Sequence, residues 1–121
     1  MAGITIFVRN IHMPVPETWI ELCEHLSDMF GIHVDLNGVL FLVGIRERGL
    51  TFQQFTKEEK LNLINLGSST LYREMGLTEI TGYDSEGWPR FRQKALSLEI
   101  SEERKQKTLQ DCALIYFQKI L

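Results

Sequence analysis

Few side chains in this 121-residue chain have reactive potential, and their spacing works against most of the chemistry they could do. His12, His25 and His33 share no regular metal-ligand interval. On a helix, Cys23 and His25 point to different sides, so no metal centre is expected. Ser68 and Ser69 lack the glycines of a nucleophile elbow. There is no GxGxxG or GxxxxGKS/T loop to cradle a phosphate and no HExxH pair, so no cofactor is implied. Glu47 lies between Arg46 and Arg48, where a carboxylate's proton affinity can be tuned, but alternating charges at a helix end are ordinarily solvated. What remains is polar rather than reactive. Asn65, Ser69 and Tyr72 lie along one edge of a helical segment, where small side chains leave room and amide and hydroxyl groups can orient a ligand. They define a candidate small-molecule pocket, and the chain leans away from being an enzyme.

The elements that position these residues are read from periodicity and caps. "PETWIELCEHLSDMFG" predicts a helix with Pro16 in its first turn, Glu17 at the positive end of the dipole and Gly31 as a left-handed stop. Trp19, Cys23, Leu26 and Phe30 align as its core face, flanked by Ile20, Leu22 and Met29. Glu17, Glu21, Glu24 and Asp28 form an acidic ridge opposite, which either keeps the protein soluble or meets something basic. "DLNGVLFLVGIRERG" is apolar on every face, so periodicity alone does not separate helix from strand. Its length, Asp35 or Asn37 as a cap and Gly49 as a terminator favour a buried helix. "TKEEKLNLINLGSSTLYREMG" opens with Thr56 and Glu59 in capping-box spacing and stops at Gly76. Its stripe is Leu61, Ile64, Leu71 and Met75, with Leu63 and Leu66 on the far side. Gly67, Ser68 and Ser69 allow another helix to approach closely. The last helix starts at Ser101 and runs to the end of the chain. Its stripe is Leu109, Cys112, Ala113, Tyr116, Phe117 and Ile120, and Leu114, Ile115 and Leu121 widen it beyond one face.

In "GYDSEGWPRF" a four-residue turn over "DSEG" puts Gly87 where positive φ is required and makes Tyr83 oppose Trp88. Thr81 then opposes Arg90, Glu79 opposes Arg92 and Ile80 opposes Phe91. Tyr83 and Trp88 fall on the more exposed face and, with Leu114 and Ile115, are the candidate interface residues. Pro89 suits an edge strand.

Charge and composition narrow the function classes. Net charge is −3 over the chain, distributed as −3 for residues 1–50, −3 for 51–89 and +3 for 90–121. An acidic protein lacks the broad positive field that dominates nucleic-acid affinity, so nucleic acid is not the expected partner. The longest apolar run, Val39 to Ile45, is far short of the ~20 residues of a membrane span. No signal peptide is evident at the start. Cys23 and Cys112 read as buried thiols in a reducing cytoplasm.

The middle of the chain, residues 39–89, resembles a family of small bacterial proteins with no assigned function. The likeness rests on "LFLVGIRERG", "FTKEEKLNLI" and "DSEGWP", in that order. The pattern carries histidine and cysteine where this chain has Asn65 and Ser69, so any metal or nucleophilic chemistry those groups perform in the family is absent here. The resemblance implies a discrete bacterial domain and supplies no activity.

These readings converge on one mainly helical α+β domain spanning residues 1–121. About four helices pack around one core with a small antiparallel hairpin at about 77–93, and residues 1–15 are a possible extended arm containing "ITIFVRN". The expected function is a non-catalytic protein-interaction or self-association module, acting as a homo-oligomer or with a protein partner. The alternative is a small-molecule binder or enzyme with its pocket at Asn65, Ser69 and Tyr72.

Overall fold

The computed structural model describes residues 15–94 and 101–121. Apart from Val15, the expected N-terminal arm lies outside them. Among the described residues, four helices, α1 (Trp19–Phe30), α2 (Leu36–Arg48), α3 (Lys57–Glu74) and α4 (Glu102–Gln118), surround one core, and strands β1 (Thr78–Tyr83) and β2 (Pro89–Gln93) form a hairpin between α3 and α4. This is the mainly helical α+β architecture expected from the sequence.

Local chemistry sets the helix ends. The Asp35 side chain accepts from Gly38 N at 2.9 Å and caps α2, and Gly49 ends that helix at φ 68°. Thr56 and Glu59 form the reciprocal capping box that opens α3. Ser101 Oγ accepts from Arg104 N to open α4, which stops at Gln118 rather than at the last residue. Helix α1 starts later than its proline suggests. Thr18 is the cap, and it shares a capping box with Glu21. Pro16 therefore sits outside the helix, buried, with its carbonyl accepting from Gln118 Nε2 at 3.0 Å.

Helices α2 and α3 form the centre of the fold and approach backbone to backbone. A Cβ on Gly44 of α2 would lie 2.1 Å from the Leu63 carbonyl oxygen, and one on Gly67 of α3 would lie 2.0 Å from that of Leu40. Each helix thus presents a glycine to the other's main chain. This crossing determines which face of α3 is buried. Leu63, Leu66, Gly67, Thr70 and Leu71 turn inward, while Leu61 and Met75 of the expected stripe remain exposed. Helix α1 is rotated in a similar way. Leu22, His25 and Leu26 are buried, Trp19, Cys23, Met29 and Phe30 are partly covered, and Ile20 is exposed. Helix α4 packs against α3, α1 and α2 through Leu109, Ala113, Tyr116 and Phe117.

The hairpin departs from the expected register at its tip. Asp84 Oδ1 accepts from Glu86 N and Trp88 N, both at 2.9 Å, and Asp84 N donates to Trp88 O. Asp84 and Trp88 therefore close a three-residue loop, Ser85 to Gly87, with Gly87 at φ 87°. Tyr83 then faces Pro89 and Gly82 faces Arg90. A bulge between Ile80 and Gly82 absorbs the one-residue slip and restores the Ile80–Phe91 and Glu79–Arg92 pairs. Thr81 is the extra residue, and its hydroxyl still donates to the Arg90 carbonyl at 3.3 Å.

Candidate functional site

A cleft of about 320 Å³ lies between α3 and the hairpin. Along α3, Asn62, Asn65 and Ser69 fall at i, i+3 and i+7, so their amide and hydroxyl groups share one wall. Across from them stand Trp88, Pro89 and Phe91 of the hairpin, with the carboxylates of Asp84 and Glu86 at its tip. Thr78 Oγ1 donates to the Ser69 carbonyl at 3.1 Å, and Leu77 N donates to the Tyr72 carbonyl at 2.9 Å. These bonds tie the start of the first strand to α3.

The far side of the hairpin tip is held by α2. The Arg48 guanidinium lies 4.6 Å from the Trp88 ring centroid, and its Nη1 donates to the Gly87 carbonyl at 3.2 Å. Trp88 is therefore half-buried and fixed from one face, whereas Tyr83 is 65% exposed. The two do not share one exposed face as the unbulged register requires. The preceding residues of the same segment anchor α4. Tyr116 Oη donates to Glu47 Oε2 at 2.6 Å and accepts from Arg46 Nη1 at 3.0 Å. Burial, reinforced by the Glu47 carboxylate, holds the Tyr116 phenol well above the usual tyrosine range. Glu47 is thus engaged in packing α2 against α4.

Of the residues singled out for a ligand, Asn65 and Ser69 line the cleft and Tyr72 does not. Tyr72 is half-buried, and burial, with Glu102 and Cys112 nearby, raises its phenol pKa. Leu114, expected at an interface, packs against the core, while Ile115 is 53% exposed beside Met75. The sequence reading missed Asn62, Asp84, Glu86 and Phe91 as cleft residues. The signal for Asn62 was its three-residue spacing from Asn65.

Two other features bear on chemistry. His25 is only 6% exposed, its Nε2 has no hydrogen-bond partner, and burial lowers its pKa, with Asp28 opposing the shift. Cys23 and Cys112 are both free thiols whose pKa burial raises, with Asp35 adding to the effect at Cys23 and Asp111 and Glu74 at Cys112. A larger groove of about 610 Å³ on another face is walled by Phe41, Phe52, Phe55 and Ile64. Its phenyl rings pack edge to face on one another, and Asn37, Gln53, Gln54 and Lys60 stand at its margin, so it differs from the hairpin cleft in its aromatic wall and its cation rather than in lacking polar groups.

Among the described residues, no group of three or more His, Cys, Asp or Glu is arranged to hold a metal ion, and no helix is long and apolar enough to cross a membrane. No family model matches the chain, and no curated protein and no solved structure matches it.

Proposed function

We propose that this chain is a non-catalytic recognition module that holds a small polar molecule in the cleft between α3 and the hairpin. One observation carries the reading: Asn65 and Ser69 on α3 and the half-buried Trp88 on the hairpin face a common cavity of ligand size. The helix wall supplies donors and acceptors, and the hairpin wall supplies flat apolar surface. The thiols, His25 and Tyr116, whose proton affinities are displaced, all lie elsewhere. This arrangement supports holding a ligand rather than transforming it.

Mapping small polar fragments by amide NMR on the full chain tests the proposal. The expected result is shifts concentrated at Asn62, Asn65, Ser69 and the Trp88 indole, lost in Asn65→Leu. Shifts confined to the Phe41–Phe55 groove would overturn it.

Self-association is a second reading, favoured by the adjacent exposed side chains of Ile115 and Met75. Ile115→Glu would then convert an oligomer to a monomer in sedimentation equilibrium, and an unchanged mass would refute it.

A further inference from the structure

We infer that the cleft selects a ligand carrying an ammonium or guanidinium group, bound by the carboxylates at the hairpin tip; this rests on the cleft being the recognition site. Among the described residues, the ionisable lining consists of Asp84 and Glu86, and no lysine, arginine or histidine lines the cavity. Neither carboxylate has an ion-pair partner among the described residues. Asp84 is also immobilised. Its Oδ1 is held by the Glu86 and Trp88 amides, which leaves Oδ2 as an acceptor already fixed in direction. Arg48, the nearest cation in the tip's own hydrogen-bonding network, donates to the backbone carbonyls of Gly87 and Glu86 and stacks on Trp88, so it does not neutralise either carboxylate by direct pairing.

The same inventory excludes anions. A phosphate or carboxylate entering the cleft would meet two negative groups with no cation lining the wall. A primary amine would instead exchange water for charge-assisted hydrogen bonds to a fixed acceptor. Its apolar part would lie against Trp88 and Phe91, and any further polar group would reach Asn62, Asn65 or Ser69 on the opposite wall. The cavity size restricts the ligand to about one ring with a short arm.

Three probes on one skeleton separate charge from shape: tyramine, 4-(2-hydroxyethyl)phenol and 4-hydroxyphenylacetate, titrated into the full chain and followed at the Asn65 and Trp88 NMR signals. Tyramine should bind about ten-fold more tightly than the neutral alcohol, and the carboxylate should bind weakest. Glu86→Gln should narrow the tyramine preference without abolishing it, because it removes one of the two negative charges in the lining and leaves the fixed Asp84 carboxylate in place. Equal binding of amine and alcohol, sensitive to Asn65→Leu, would overturn the charge inference and leave the cleft as the site. If no probe in any charge state shifts the cleft signals, both the inference and the reading beneath it fail.

Discussion

Replacing Gly67 with alanine tests the packing on which the cleft wall depends. In an ordinary helix the change is favourable by about 1 kcal/mol, because alanine loses less backbone entropy on folding. Here the new Cβ would stand 2.0 Å from the Leu40 carbonyl oxygen and 2.8 Å from its carbon, both main-chain atoms that cannot rotate aside. Relief requires α2 and α3 to separate by roughly 1 Å, enough to forfeit a quarter to a half of the dispersion energy at each contact along the crossing. Overpacking of this kind costs about 3 kcal/mol, the upper end of its usual range, leaving a net loss of about 2 kcal/mol. For a chain of this length that corresponds to a fall of about 5–10 °C in Tm, read by circular dichroism. Gly44→Ala meets the Leu63 carbonyl at 2.1 Å and should behave alike. Because both report one crossing, the double variant should lose less than the sum of the two. Gly82→Ala is the control, since nothing lies within 4 Å of its added carbon. A Gly67→Ala chain that melts at or above the parent temperature would refute the close-approach argument.

Other outcomes follow from individual side chains. His25 has a folded pKa below its ordinary value of about 6.5, so the fold favours the neutral ring. Its contribution to stability is complete above the unfolded pKa and is lost as pH falls from there toward the folded value. Urea midpoints at pH 7.5 and 5.5 should therefore differ less in His25→Gln than in the parent, and an identical difference would contradict the assignment. Arg48→Ala should cost about 1–2 kcal/mol in urea denaturation and broaden the Trp88 indole NMR signal, because it removes both the ring contact and the bonds to the turn carbonyls. A sharp, unshifted signal would show that the hairpin tip needs no support from α2. Cys23 and Cys112 should react with iodoacetamide more slowly at pH 7.5 than free cysteine does, because burial raises both thiols. Faster reaction at either would refute the burial argument.

The helix ends that were legible in the sequence are those fixed by chemistry within a few residues. Asp35, Thr56 and Ser101 cap where their spacing indicates, and Gly31 and Gly49 stop their helices with positive φ. Helix faces were less legible because they depend on what packs against them. Ile20, Leu61 and Met75 are apolar and in phase, yet they stay exposed because the glycine crossing turns the other arc of α3 inward and α1 settles on Leu22, His25 and Leu26. Thr18 was passed over because Pro16 offered an earlier start, although Glu21 sits in capping-box spacing from it. At the hairpin, Asp84 decided the register by bonding the Trp88 amide, and the compensating bulge left Ile80 and Phe91 paired as expected. Asn65 and Ser69 could be found from sequence because they share a helix edge. Their partners at the hairpin tip are distant in the chain, and only the folded arrangement brings them to the same cavity.

The claim that the cleft is the recognition site is tested most directly by native mass spectrometry of the full chain incubated with a metabolite extract, with Asn65→Leu and Ser69→Leu run in parallel. The account predicts a small basic adduct retained by the parent chain and absent from both cleft variants. An adduct retained equally by all three chains, or an acidic one, would contradict it.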